Sequence, residues 1–317
     1  MKRLKPVIII LSVVVATVTR AQPVADFTVA TDGSGNYKTV QEAINAVPDF
    51  RKNRTAILIK PGVYKEKLVL PKSKGNVTFV GTDALTTILT YDDFATKKNK
   101  FGEEMGTTGS TSFYVFGDDF VAENITFQNS SGPVGQAVAV RIDADRVKFI
   151  NCRFLGWQDT LYPFAEKGRM YFNNCYIEGS VDFIFGWSTA VFESCSIYCK
   201  QSGYVTAAAT PEGASYGFVF LNCKIRGDAP EHSFYLGRPW RPFAKTVFIG
   251  CFLDKQIKPE GWHNWNKTDA EKTAYYAEYK STGPGASSSR VPWAHQLTDE
   301  EAKQYTVENI CGDWKIK

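Results

Sequence analysis

VKFINCRFLGWQDTLYP, residues 147–163, lies over MYFNNCYIEGSVDFIFG, residues 170–186, and this overlay decides the fold. At an interval of 23, Phe149 falls on Phe172, Asn151 on Asn174, Cys152 on Cys175, Gly156 on Gly179 and Asp159 on Asp182. A repeat of this length with alternating apolar positions is the mark of a solenoid whose coils stack strand on strand. The phrase recurs as FINC, FNNC, FESC, FLNC and FIGC, ending on Cys152, Cys175, Cys195, Cys223 and Cys251 at intervals of 23, 20, 28 and 28. Cysteines at one phase of every coil stack inside as small apolar groups. Metal ligation would require paired CxxC spacing, which the chain lacks. Cys195 and Cys199 are near enough in sequence for a local disulfide.

Working outward, the elements before and after the repeat close its ends. Thr39-Val40-Gln41-Glu42 is a capping box ahead of Ala43, Ile44, Ala46 and Val47 at helical spacing, stopped by Pro48; this predicts a helix over the open end of the solenoid. From Ala56 the chain shifts to short β-branched runs broken by Gly, Pro and Asn, and ITFQNS at 125–130 anticipates the FxNC phrases. A β-sandwich would need hairpin turns, and few Asn-Gly or Asp-Gly signals separate the runs. A second capping box at Thr298 predicts a short C-terminal helix to about Tyr305.

Lys2, Arg3 and Lys5 precede an apolar run from Val7 to Val18, so residues 1–21 read as a cleaved signal peptide. Twelve apolar residues fall short of the ~20 that a membrane span requires. Removing the segment takes the formal charge from +4 to zero. The remainder, 22–317, reads as one elongated domain that is secreted or periplasmic. A neutral chain excludes nucleic acid and anionic membrane as partners, since both demand a concentrated basic excess. Solenoid architecture gives a monomer.

Gln136, Asp159 and Asp182 stand 23 apart, a ladder of one amide and two acids. Two carboxylates on adjacent coils lie roughly one inter-strand spacing, about 4.8 Å, apart. They cannot both ionise cheaply, so one keeps its proton and serves as an acid while the other is a base or nucleophile. Structural solenoids also stack Asp and Asn in turn ladders. The amides of Gln136 and Gln158 beside the pair favour chemistry, because N–H donors stabilise a developing oxyanion.

GVYKE (62–66), QAVAVR (136–141), GWQDTLY (156–162), GSVDFIFG (179–186) and LGRPW (236–240) together resemble the pectin methylesterases, or pectinesterases, in family order over almost the whole chain. The resemblance implies a right-handed parallel β-helix, all-β but for the two end helices. It also implies hydrolysis of galacturonate methyl esters in pectin without metal or other cofactor. By position it makes Asp182 the nucleophile, Asp159 the general acid and then base, Gln136 and Gln158 the oxyanion holders and Arg238 the partner of Asp182. Arg238 should lower the pKa of Asp182 and leave Asp159 protonated. Val140 stands where the family often has leucine, a core change without bearing on Gln136. Glu66 suits a structural role as well as a functional one, and no family pro-region is expected ahead of the β-rich part.

Sugar rings pack their C–H faces on aromatic rings, and Tyr162, Phe185, Trp240 and Trp262 are the expected groove aromatics, with Trp265 reading either way. A retaining glycosidase would also suit two acids at this separation. A lyase would want calcium-spaced acids, and a serine esterase a G-x-S-x-G and a partnered histidine; His232, His263 and His295 are scattered. A non-catalytic sugar-binding solenoid would have no use for converging acids, amides and an arginine.

Overall fold

The computed structural model describes residues 25–316, so the signal-peptide reading of 1–21 lies outside the described residues. The chain winds as a parallel β-helix in which each coil gives one strand to each of three parallel sheets, of 11, 7 and 8 strands. A strand–crossover–strand path of this kind is right-handed as a rule. No helix among the described residues is long and apolar enough to cross a membrane.

The recurring phrase explains itself at the first corner of each coil. Phe149, Phe172, Phe192, Phe220 and Phe248 are register partners on successive strands. Their rings form a buried stack with centroids 5.2, 4.7, 4.5 and 4.4 Å apart. Asn151, Asn174, Ser194, Asn222 and Gly250 follow at φ between 51° and 61°, turning the chain into the next sheet. Asn and Gly tolerate this left-handed conformation better than other residues, which accounts for their place in the phrase. Asn174 also donates to Asn151 across the coils at 2.7 Å.

The cysteine then points inward. The thiols of Cys175, Cys195, Cys223 and Cys251 each donate to the carbonyl of the phenylalanine one coil earlier, at 3.2–3.5 Å. All seven cysteines are free and buried, so the local Cys195–Cys199 bridge does not form. Burial pushes the Cys152 thiol up to about 12, which keeps it protonated and inert.

Both capping boxes are present. The N-terminal helix α1, Val40–Ala46, is capped by Thr39 and Glu42, and its Val40, Ala43 and Ile44 close the end of the core. At the C-terminus, Asp299–Ala302 is capped by Thr298 and Glu301, and a second short helix, Val307–Cys311, follows. Val307, Ile310 and Cys311 pack on Tyr171, Val191 and Val219 of the eleven-stranded sheet.

Glu66 has a structural role. Its two carboxylate oxygens accept the Val40 and Gln41 N–H groups at 2.9 and 3.0 Å, pinning the start of α1 to the first coil. Those amides have no partner within the helix, and a carboxylate there also meets the positive end of the helix dipole. Glu66→Ala is expected to cost about 1–3 kcal/mol of stability, read from urea unfolding, with faster hydrogen exchange at the Val40 and Gln41 amides.

Candidate active site

Asp159 and Asp182 occupy the corner where the chain enters the seven-stranded sheet, just before the strands Leu161–Pro163 and Ile184–Gly186. Both are left-handed, with φ of 63° and 52°. The coils are tied there by Asp159 N–H to the Val181 carbonyl at 3.1 Å and Leu161 N–H to the Phe183 carbonyl at 2.9 Å. Aspartate accepts this backbone conformation more readily than most side chains, and two equivalent turns aim both carboxyls at one cleft. The cleft has a volume of about 300 Å³ and is lined by both aspartates, Gln136, Gln158 and Arg238.

The even spacing of 23 does not carry back to Gln136. Gln136 pairs with Gln158, not with Asp159, and the strands beyond it pair at an interval of 21, Val140 with Leu161. A bulge absorbs the difference: the Ala139 and Val140 N–H groups both reach the Thr160 carbonyl, at 2.8 and 3.4 Å. The result is two glutamines side by side on one coil boundary and two aspartates side by side on the next.

Arg238 follows the strand Phe234–Gly237 and meets Asp182 through two bonds, Nε to Oδ1 at 2.8 Å and a terminal nitrogen to Oδ2 at 2.6 Å. Its guanidinium lies between the rings of Tyr204 and Trp265, 3.9 and 3.7 Å from their centroids. Stacking on both faces leaves the fork no freedom except toward the carboxylate. Among the described residues Asp159 has no such partner.

Burial raises the pKa of both acids above the usual carboxylate range. At Asp182 burial outweighs the opposing pull of Arg238, so the net shift is upward, against the downward shift expected from the ion pair. At Asp159 burial and the nearby Asp182 charge act together, and its pKa is held well above the ordinary value. Arg238 acts chiefly on Asp182, so it favours the charged form there more than at Asp159.

Tyr162 and Phe185 stack at 4.0 Å and 19° on adjacent coils, and Trp240 leans on both at 6.2 and 5.9 Å. All three line the cleft. Trp262 does not. It is 1 % exposed, in the main core between Phe248 and Tyr276, because its backbone pairs with Gly237 and so turns the ring inward. Three residues on, Trp265 sits in a left-handed turn, φ 57°, and takes the groove position instead. Thr107, from the short helix Gly106–Gly109, and Ala207 also line the cleft and carry no sequence signal of their own.

The Pectinesterase family model matches residues 26–313. Pectinesterase 31 of Arabidopsis thaliana is 47% identical over 87% of this chain and 89% of its own length. A probable pectinesterase/pectinesterase inhibitor of Brassica napus is 41% identical over 89% of the chain, which spans only 50% of that longer protein. Among solved structures, pectin methylesterase from carrot superposes with a TM-score of 0.84 at 37% identity, covering 92% of this chain and 94% of that one. The expected fold and family therefore both stand: this chain belongs to the pectinesterase family.

Proposed function

We propose that the protein hydrolyses the methyl esters of galacturonate units in pectin, with Asp182 as nucleophile and Asp159 as general acid and then base. Family membership makes the chain a carboxylic ester hydrolase. The observation that carries the residue roles is the asymmetry of the buried pair: Arg238 grips Asp182 with two bonds, while at Asp159 it acts only as an unbonded charge, behind burial and the charge of Asp182.

An ionised Asp182 oxygen attacks the ester carbonyl, and the oxyanion so formed accepts hydrogen bonds from the side-chain amides of Gln136 and Gln158. Asp159 gives its proton to the departing methoxide, releasing methanol and leaving an anhydride between Asp182 and the galacturonate. Asp159, now a carboxylate, takes a proton from water, whose oxygen attacks the galacturonate acyl carbon. That step frees the acid product and restores Asp182, still paired with Arg238. Tyr162, Phe185, Trp240 and Trp265 offer ring faces to the sugar on either side of the ester. The reading places residues 22–317 in the catalytic domain of a secreted or periplasmic monomer from which residues 1–21 are removed on export. No metal or organic cofactor enters any step.

Asp182→Asn is expected to lower kcat for methanol release from methylated pectin by roughly 10³-fold or more. The wild type should release methanol without forming new reducing ends; new reducing ends would point instead to glycoside cleavage. The pH profile supplies a second check. Activity needs Asp182 ionised and Asp159 protonated, so kcat/KM should fall on the acid side as Asp182 gains a proton and on the alkaline side as Asp159 loses its own. Because Arg238 favours ionised Asp182, Arg238→Gln should move the acid limb to higher pH. An acid limb that stays in place would remove Asp182 from the role of nucleophile.

A further inference from the structure

The segment ITFQNS does not stand at the phase of the FxNC phrase. Phe127 is the register partner of Phe154 rather than of Phe149, and the left-handed corner of this coil is Asn124, at φ 57°. Asn129, at the end of the strand Thr126–Asn129, therefore lies one strand beyond the corner ladder, and its side chain serves a different purpose. It is 3 % exposed, and its Nδ2 donates to three main-chain carbonyls: Asp93 at 2.8 Å, Ser110 at 3.2 Å and Val138 at 3.2 Å. Its Oδ1 accepts the Ser131 N–H at 3.1 Å, so both ends of the buried amide are satisfied. Asp93 and Ser110 stand near the two ends of the long connection 92–112, and Val138 stands two residues past Gln136. Asn129 thus ties that connection to the segment that carries the glutamine.

Ser110 makes the same junction a second time. Its hydroxyl, fully buried, accepts the Val138 N–H at 3.1 Å and donates to the Thr107 carbonyl at 2.6 Å. The Ser112 N–H reaches the Val138 carbonyl and the Ala95 N–H reaches the Gln136 carbonyl, both at 2.9 Å. On the other flank, the Ala137 N–H is held by the Gln158 carbonyl at 3.1 Å. The connection is itself anchored from the first coils, because the Lys67 ammonium bonds both the Asp93 carboxylate and the Gly109 carbonyl, at 2.5 and 2.6 Å.

Gln136 needs this support because it precedes its strand, which begins only at Val140. An oxyanion donor is effective only when it is fixed in place before the charge develops, and a shift of about an ångström forfeits much of its effect. We propose that Ser110 and Asn129 are positioning residues of the oxyanion site, which hold the backbone of 136–138 so that the Gln136 amide is preorganised for the ester oxygen. The proposal deepens the reading of Gln136 as an oxyanion donor and rests on it. Neither residue lines the cleft, so both act through Gln136 and not on the substrate. The connection 92–112, which lends Thr107 to the cleft wall, becomes part of the reaction centre by the same bonds.

The test is a double-mutant cycle on methanol release from methylated pectin, with Ser110→Ala, Gln136→Ala and the two combined, each assayed at a temperature where urea unfolding shows it folded. Gln136→Ala should lower kcat on the order of 10²-fold, as loss of an oxyanion donor does. Ser110→Ala removes one hydroxyl and should lower kcat roughly tenfold with KM changed less than about twofold, because the interaction it supports is made in the transition state. In the Gln136→Ala background the same change should cost less than about twofold, since its only route to the chemistry is gone. Asn129→Ala, the more disruptive variant, should follow the same pattern wherever it folds; Ser110→Ala decides the matter if it does not. An unchanged kcat in Ser110→Ala, or an equal loss with and without Gln136, would reduce Ser110 to a purely structural role and overturn the proposal. Wild-type kcat in Gln136→Ala is the separate result that removes the oxyanion reading, and the positioning role falls with it.

Discussion

Parallel pairing of successive coils in fixed register is the constraint on which this molecule depends. It places Phe149 over Phe172 and Phe172 over Phe192, and the same register sets Leu161 beside Ile184 on another face. A slip of one residue would turn every inward side chain outward. The buried phenylalanine stack resists that slip, and so do the corner residues, whose left-handed backbone suits Asn, Asp and Gly far better than bulky side chains. Asp159 and Asp182 are corner residues of this kind. The conformation that turns the chain also presents the two acids, so folding and catalysis draw on one local geometry.

Two carboxyls buried together are costly, and the fold lets Arg238 form hydrogen bonds to only one of them. Arg238 is fixed between Tyr204 and Trp265 and spends both arms of its fork on Asp182. Burial raises both acids, and the arginine then separates them. In the proposed mechanism the separation, more than the absolute position of either pKa, divides the labour between nucleophile and proton donor. In that mechanism Asp182 does not need an unusually low pKa; it needs one below that of Asp159.

The repeat and the acid pair were legible in the sequence because both are periodic. The FxNC phrase reports the phenylalanine stack, the left-handed corner and the inward cysteine in four letters. What escaped was whatever breaks the period. Gln136 reads as a third rung by simple counting, yet the bulge beside Ala139 and Val140 shifts it onto Gln158. Trp262 and Trp265 are three residues apart in a stretch without repeat, and only the pairing of Trp262 with Gly237 decides which ring enters the core. Thr107 reaches the cleft from a short helix in the long connection between the strands Thr87–Tyr91 and Phe113–Val115, outside the repeat. The upward shift at Asp182 depends on how deep the pair lies, which residue types alone do not state.

The connections that return each coil from the seven-stranded to the eleven-stranded sheet differ widely in length. Residues 187–188 join two strands directly, whereas 209–217 and 238–244 are full loops, and the phenylalanines they link stay stacked throughout. Lengthening such a loop adds little entropic cost, since closure entropy grows only with the logarithm of length. Arg238 and Trp240 both stand on the loop 238–244. The scaffold is thus modular in an unequal way: its interior tolerates almost no edit, while one rim can be rewritten by insertion and deletion.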